Sequence, residues 1–139
     1  DTLTWTMYSD GELVIGGTGT LKNYDTINLP PWNDYAAQIK KVTYEEGVTG
    51  TGAVVFYNTY PNLTEVTFPS TLTAIGNFAF YKCTGLTSVT IPAATTSISA
   101  NAFQLCSNLT DIYVPWAEGE VENAPWGATA ATIHYNTAT

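Results

Sequence analysis

The residues that could carry out chemistry are few and lie far apart in the chain. His134 is the only histidine, and the two cysteines, Cys83 and Cys106, are 23 residues apart. A nucleophilic site needs a serine or cysteine beside a base, and a zinc hydrolase needs clustered histidines and carboxylates. The sequence contains no G-x-S-x-G, no H-E-x-x-H and no glycine-rich loop that opens a helix. It therefore predicts no catalytic residue, no cofactor and no enzymatic activity.

Three acidic residues alternate near the C-terminus and are the one candidate for a metal site. Glu118, Glu120 and Glu122 together could hold a hard cation. Calcium takes six to eight oxygen ligands, and this spacing does not supply them. We interpret the segment as a solvated acidic loop and predict no metal site.

Two adjacent segments repeat one pattern, and this repeat organises the chain. LTEVTFPSTLTAIGNFAFYKCTG at 63–85 is followed directly by LTSVTIPAATTSISANAFQLCSN at 86–108. A degenerate copy that is one residue longer begins at Ile39, with Thr59 in the place of the later cysteines, and a partial copy begins at Leu109. A period in the twenties is typical of a solenoid whose units stack on one continuous core.

Each copy predicts one short strand. In LTSVTIP, Val89 and Ile91 lie on one face of a strand, so Ser88 and Thr90 point to solvent. Stacked copies then form a parallel sheet with strands about 4.8 Å apart. Pro92 ends the strand because it cannot donate a hydrogen bond to the ladder.

The repeat resembles that of a known family. The pattern C-x-x-L-x-x-V-x-I-P…I-x-x-x-A-F-x-x-C is similar to the BspA-like (Treponema-type) leucine-rich repeat, and residues 83–103 carry it nearly intact. The segments LTWTMYSDGELVIGGTG…PPW and ENAPWGA…ATIHY resemble flanking segments of that family. The resemblance implies a right-handed α/β-type leucine-rich-repeat solenoid with a parallel β-sheet and an irregular or short-helical convex side. It also implies a secreted or cell-surface bacterial protein, because such domains are typical of secreted or surface-anchored proteins of gut and oral bacteria. Some members resemble adhesins for host or bacterial proteins.

The ends of the solenoid need atypical units that cover its core. We predict an N-terminal cap at 1–38, repeats at 39–115 and a C-terminal cap at 116–139, all in one structural domain. The N-terminal cap is predicted to be a β-hairpin over 3–16 with Asp10-Gly11 in its turn, followed by a short helix.

Further elements of the caps are predicted from local signals. Gly16, Gly17 and Gly19 should loosen the chain after the hairpin, and Leu21–Tyr24 could add a short strand. The helix should start at Asn33 or Asp34 and run to about Lys40. The C-terminal cap should end in the strand ATIHY.

Large aromatic residues and the cysteines are interpreted mainly as core. Trp32 is predicted to lie under the cap, with an exposed stacking platform as the alternative. Trp126 is predicted to plug the C-terminal end of the core. Cys83 and Cys106 hold equivalent places in adjacent copies, close enough for a disulfide. We predict two reduced, buried thiols, and a disulfide is the alternative.

The charge of the chain limits the class of partner. Twelve acidic residues against four basic ones give a net charge of −8 and a pI near 4.2. Nucleic acid and anionic lipid both need a basic surface, so neither is an expected partner. No run approaches the roughly 20 apolar residues of a membrane helix. Because the chain opens at Asp1 without a leader, we expect a mature or excised domain of a secreted or surface protein.

The candidate binding site is the solvent-facing side of the predicted sheet. Solenoids usually bind on such a face, because its side chains are not needed for packing. The predicted ligand-binding residues are Lys41, Thr43, Glu65, Thr67, Ser88, Thr90, Asp111, Tyr113 and Trp116. Tyr113 with Trp116 is the best candidate anchor, since aromatics dominate interface energetics.

Three functions are compatible with this face. The leading hypothesis is a non-catalytic module for protein–protein interaction or adhesion, with an unknown host or bacterial protein as partner. The first alternative is glycan binding through exposed Trp32, Trp116 or tyrosines. The second is a structural spacer between neighbouring domains.

Overall fold

The computed structural model describes residues 2–57 and 60–137. The predicted equivalence of Thr59 with the cysteines lies outside these residues. The described elements, in chain order, are β1 Thr2–Met7, β2 Glu12–Thr20, a 3-10 helix Pro31–Tyr35, β3 Lys41–Tyr44, β4 Val48–Gly50, β5 Glu65–Thr67, β6 Ala74–Ile75, β7 Ser88–Thr90, β8 Ser97–Ile98, β9 Asp111–Tyr113 and β10 Thr132–His134.

The strands form two parallel ladders that run along the solenoid. The first ladder has two paired parts: β2, β3 and β5 pair in order, and β7, β9 and β10 pair in order. Strands β5 and β7 are adjacent along the solenoid but do not pair. In the second ladder β2, β4, β6 and β8 pair in order. Copies of the repeat stand in register, with Val42 opposite Val66 and Val89 opposite Ile112. The prediction of a repeat solenoid with a parallel sheet is therefore confirmed, and the side away from the first ladder is irregular.

Stacked aromatic rings run through the core. Phe80 stacks on Phe56 and on Phe103, with 5.5 Å between ring centroids in both pairs. Trp32 stacks on Phe56 at 5.9 Å and is 1% exposed, which confirms the prediction that it lies under the cap. Such offset stacks add to the stabilisation from apolar burial. Equivalent phenylalanines of successive copies thus stack on one another.

The N-terminal hairpin is confirmed, and it does more than cover the core. β1 pairs antiparallel with β2, and Gly11 in the turn has φ +96°. β2 also pairs parallel with β3 and β4, so it belongs to both ladders. The prediction that Gly16, Gly17 and Gly19 loosen the chain is wrong, since all three lie within β2. At Gly17 a Cβ would lie 1.9 Å from the carbonyl oxygen of Thr2, so glycine permits close pairing there.

Two predicted elements of the N-terminal cap are wrong. Leu21–Tyr24 forms no strand, because Leu21 and Tyr24 each donate one isolated hydrogen bond to the next coil, to Gly50 and Ala53. The helix is a 3-10 helix from Pro31 to Tyr35 and does not reach Lys40. Its first turn lacks a side-chain cap, and short 3-10 turns suit such poorly capped connections.

The C-terminal end is covered by Trp126, as predicted. Its side chain is fully buried, and its carbonyl oxygen accepts a hydrogen bond from the Phe103 amide at 2.9 Å. The Trp126 indole donates to the carbonyl oxygen of Glu122 at 2.8 Å. The division of the chain into caps and repeats at residues 38 and 115 stays a prediction. Among the described residues, no helix has the length and apolarity to cross a membrane.

Candidate functional site

One solvent-facing surface is built by the first ladder, and we call it the exposed sheet face. Strand register aligns its side chains in two rows within each paired set of strands, β2–β3–β5 and β7–β9–β10, because alternate residues of a strand point to the same side. The first row is Glu12, Lys41, Glu65, Ser88, Asp111 and Thr132; the second is Val14, Thr43, Thr67, Thr90, Tyr113 and His134. Eight of the predicted binding residues lie on this face.

Both ends of the face lie outside the predicted binding residues. Glu12 and Val14 come from the N-terminal hairpin, and Thr132 and His134 come from the last strand. The sequence predicts that both segments belong to caps, and in the structure each pairs in parallel with the neighbouring repeat strand. The alternation of apolar and polar residues in ELVIG and ATIHY indicates a strand in each segment, but it does not indicate which strand each one pairs with.

Trp116 does not belong to the exposed sheet face, so its prediction as an exposed anchor is wrong. Its side chain is 8% exposed, and its ring lies 6.5 Å from that of Trp126 in an edge-to-face contact. The end of the stack needs apolar cover, and Trp116 turns inward to provide it. Trp32 is buried too, so neither of these two tryptophans is an exposed platform for a sugar. Tyr113 is 36% exposed and remains on the face.

The N-terminal half of the face contains two cross-strand polar contacts. Lys41 Nζ lies 3.6 Å from Glu65 Oε2, and the Thr43 hydroxyl donates to Glu12 Oε2 at 2.7 Å. Both partners of the ion pair are well exposed, so this pair contributes little to stability. Lys41 is the one lysine or arginine among the twelve residues of the face. With Glu12, Glu65 and Asp111 present, the face is acidic.

The C-terminal half is ordered by His134. Its Nε2 lies 2.8 Å from Asp111 Oδ1, and its ring stacks on Tyr113 with 4.5 Å between centroids. The hydrogen bond with His134, together with one from the Thr110 hydroxyl, lowers the pKa of the Asp111 carboxyl. Three side chains from two strands thus form one preorganised cluster on the face.

A cleft opens in the face where β5 and β7 are adjacent but do not pair. Its volume is about 690 Å³, and we call it the β5–β7 cleft. It is lined along both strands and beyond their ends by Glu65, Val66, Thr67, Phe68, Ser70, Ser88, Val89, Thr90, Ile91, Pro92, Ala93, Ala94, Pro115 and Thr137. No feature of the repeat pattern predicts this opening, because the same L-T-x-V-T sequence forms both strands.

Other groups that could do chemistry are placed apart or buried. Among residues 2–57 and 60–137, no three acidic, histidine or cysteine side chains are grouped to hold a metal ion. Glu120 accepts a hydrogen bond from the Ala117 amide within its own loop. Cys83 and Cys106 are free and buried, and their thiols donate to the carbonyl oxygens of Phe56 and Phe80.

The family model for the BspA type leucine rich repeat region matches residues 34–124, which is more than half of the chain. The chain therefore belongs to the BspA-type leucine-rich-repeat family. This repeat fold is that of a protein-interaction or structural module, and it indicates no enzymatic family.

Two solved structures share the fold. A leucine-rich repeat protein from Eubacterium ventriosum ATCC 27560 is 24% identical, with a TM-score of 0.57; the match covers 81% of this chain and 42% of that one. A leucine rich cell surface protein from Faecalibacterium prausnitzii A2-165 is 22% identical, with a TM-score of 0.65; the match covers 99% of this chain and 39% of that one. The chain thus spans about two fifths of the length of either protein. Among curated proteins, none matches this chain.

Proposed function

We propose that this chain is an extracellular leucine-rich-repeat module that mediates protein–protein interaction or adhesion at a bacterial cell surface. The exposed sheet face is its binding surface, and it acts without catalysis. The observation that carries the proposal is the two rows of side chains, which come from six strands and lie outside the buried core. A rigid, repeated surface of this kind suits recognition of a large partner.

Charge and relatives support the kind of partner and the location. The net charge of −8 and the acidic face disfavour nucleic acid and favour a protein with basic surface. A structural neighbour with the same fold is described as a cell surface protein, which supports a surface location for this chain. Tyr113 is the aromatic anchor that we assign to the interface, because it is exposed and held in place by His134.

The test is binding to intact bacterial and epithelial cells and to their extracted surface proteins. Tyr113→Ala and Glu65→Lys should each weaken binding about tenfold. Both variants should melt close to the wild type, because neither side chain is part of the core. Glu118→Lys is the matched control for charge, since it makes the same change in the exposed C-terminal loop. Unchanged affinity in both face variants would remove the exposed sheet face from the proposal.

The glycan alternative loses Trp32 and Trp116, because both are buried, and it keeps the exposed tyrosines together with Trp5, which is 37% exposed. A glycan array with wild type and Tyr113→Ala separates the two functions. Saturable binding to defined glycans, lost in Tyr113→Ala, would favour carbohydrate recognition. A spacer would bind neither cells nor glycans, and its variants would be indistinguishable from wild type.

A further inference from the structure

One side of β1 is an open strand edge. Among the described residues β1 pairs with β2 and with no other strand. Within the hairpin the amide of Tyr8 donates to the carbonyl oxygen of Glu12 at 2.9 Å. Backbone groups alternate in direction along a strand, so those of the other even-numbered residues of β1 also point to β2. The amide and carbonyl groups of Leu3, Trp5 and Met7 therefore point away from the sheet, and we call them the open edge.

Nothing in β1 protects the open edge. In residues 2–57 and 60–137, no backbone group bonds to it. Native proteins keep edge strands from pairing with other chains by shortening them, bulging them, or placing a lysine or proline in them. Strands β8 and β10, which end the two ladders, have only two and three residues. By contrast, β1 has six residues, TLTWTM, without charge or proline, and its register with β2 has no shift.

The side chains beside the open edge form an apolar patch at the N-terminal end of the stack. The ring of Trp5 lies 6.1 Å from that of Trp32 and 6.2 Å from that of Tyr35. Trp32 is buried, whereas Trp5 and Tyr35 are exposed. A recess of about 320 Å³ lies beside them, lined in part by Leu3, Trp5 and Tyr24. Apolar surface of this kind marks an interaction site.

The sequence of the open edge is complementary to itself. In either direction, LTWTM at 3–7 gives an apolar residue, threonine, tryptophan, threonine and an apolar residue. Two copies that pair antiparallel about a two-fold axis at Trp5 place Trp5 opposite Trp5 and Leu3 opposite Met7. All three residues have outward backbone groups, so each facing pair exchanges two hydrogen bonds. The remaining residues place threonine opposite threonine, which is favourable across strands.

Charge also favours a second copy as the occupant of the open edge. The net charge of −8 makes most surfaces of two copies repel each other. Residues 2–7 have no charged side chain, so pairing of β1 with itself places no like charges opposite each other. A basic segment of another protein finds no carboxylate in β1 to attract it.

We propose that two copies of this chain associate by antiparallel pairing of their β1 strands, with Trp5 on the two-fold axis. The two solenoids lie end to end, and their sheets continue across the axis. Since the axis is perpendicular to the shared sheet, both exposed sheet faces lie on the same side, and the dimer presents two binding surfaces to one partner surface. One strand from each copy is a small contact, so we expect a dissociation constant of about 1–100 μM.

Sedimentation velocity from about 1 to 500 μM tests whether the chain associates in this range. The mass should rise from the 15.0 kDa of one chain toward twice that value. Trp5→Lys places two like charges opposite each other on the axis and should weaken dimerisation at least about tenfold. Tyr113→Lys is the matched control, because it changes an exposed aromatic residue of β9 to lysine, and it should dimerise as wild type. Thermal unfolding checks that both variants fold.

Amide hydrogen exchange locates the contact in the wild type without any substitution. The amides of Leu3, Trp5 and Met7 should exchange at least about threefold more slowly at about 500 μM than at about 10 μM, because only the dimer gives them an acceptor. The amides of Thr4 and Thr6 point to β2 in the monomer already, so their exchange should change less. An alternating pattern along β1 is specific to strand pairing at the open edge.

A cysteine on the two-fold axis tests the register. Residues that face each other in a hydrogen-bonded pair have Cα atoms about 5.5 Å apart, which a disulfide can span. Trp5→Cys should therefore form a disulfide-linked dimer under mild oxidation. Thr2→Cys is the control in the same strand, because its two copies would lie roughly 20 Å apart and should link at least about tenfold more slowly. Cys83 and Cys106 are buried and do not compete.

The results decide between a second copy and other occupants. A wild type that stays at 15.0 kDa up to about 500 μM overturns the dimer. Equal association of wild type and folded Trp5→Lys, or unchanged exchange at Leu3, Trp5 and Met7, would place any dimer contact elsewhere and also overturn it. Slower exchange of these amides caused only by extracted surface proteins would assign the open edge to a different protein. A monomer that still binds cells through Tyr113 would keep the proposed function and reject this inference.

Discussion

His134 Nε2 lies 2.8 Å from Asp111 Oδ1, and this contact joins the last two strands of the first ladder by their side chains. The same imidazole stacks on Tyr113 at 4.5 Å. One residue of the C-terminal strand thus fixes an acid and an aromatic ring of the preceding repeat. The predicted anchor Tyr113 is preorganised by a residue that the sequence had assigned to a cap.

Removal of the imidazole should raise the pKa of Asp111. The hydrogen bond with His134 is the largest cause of its lowered pKa, so in His134→Ala the pKa should move up toward the ordinary value of 3.8. A carboxyl group whose pKa is lowered in the folded state stabilises the fold at pH values above its ordinary pKa. This contribution is lost as the pH falls through the folded-state pKa. The stability difference between wild type and variant should therefore shrink in acid.

The measurement is a carbon-13 NMR titration of the carboxyl groups. Asp25 is an internal control, because hydrogen bonds from Asn28 and Ile27 lower its pKa in a distant loop. Its pKa should not change in His134→Ala. An unchanged pKa at Asp111 would show that the contact with His134 does not hold in solution.

The inward residues of the repeat were predictable, and the outward ends of the face were not. Val66, Val89 and Ile112 recur at fixed spacing because each must fill the same place in the core. Strands β2 and β10 lack the full repeat, so alternation alone did not reveal that they join the ladder. Their pairing depends on contacts between segments distant in sequence, which a local pattern does not encode.

Truncation of the central ring of the aromatic stack should destabilise the protein strongly. Phe80 is fully buried between Phe56 and Phe103, so Phe80→Ala leaves a cavity and breaks two stacked contacts. The expected cost is about 3–5 kcal/mol, measured by equilibrium denaturation in urea. Ile27→Ala removes an apolar side chain that is 88% exposed and should cost less than about 0.5 kcal/mol. Similar costs for the two variants would contradict the stack.

A comparison of alanine substitutions at Gly17 and Gly119 separates the stability cost of a close contact from the cost of backbone strain. Both have positive φ, +97° and +90°, so alanine should cost about 1–2 kcal/mol at either position. A Cβ at Gly17 would also meet the Thr2 carbonyl oxygen at 1.9 Å, whereas one at Gly119 meets nothing within 4 Å. Gly17→Ala should therefore be the more destabilising by at least about 2 kcal/mol in thermal unfolding. Equal losses would mean that β1 does not pack closely on β2.

The error at Trp116 has a physical reason. A residue that follows a strand and a proline is commonly exposed in a turn, so the sequence around Trp116 favours a surface position. At the last coil no further repeat covers Phe103, and the chain must supply its own apolar cover. Trp116 and Trp126 do so together. The position of the repeat within the stack, rather than the local sequence, decides whether such a residue is buried or exposed.

The two cysteines should remain thiols, and they should be unreactive in the folded protein. Cys83 is 0% exposed and Cys106 is 2% exposed, so a reagent such as Ellman's cannot reach either sulfur. For Cys83 the neighbouring Cys106 thiol and burial also raise the pKa, which suppresses its reactive thiolate, whereas Cys106 is protected by its burial alone. We expect slow reaction of the native protein and release of two equivalents of thiol in denaturant without reductant.

A sample reduced before denaturation is the control, and it should give the same two equivalents. Absence of free thiol in the unreduced sample would mean a disulfide between adjacent coils. Each sulfur would then be unable to donate to a backbone carbonyl, and the bonds to Phe56 and Phe80 would be lost. Those carbonyl groups are buried, so leaving them without a donor is costly. This is the physical reason why the structure favours two thiols over a bridge.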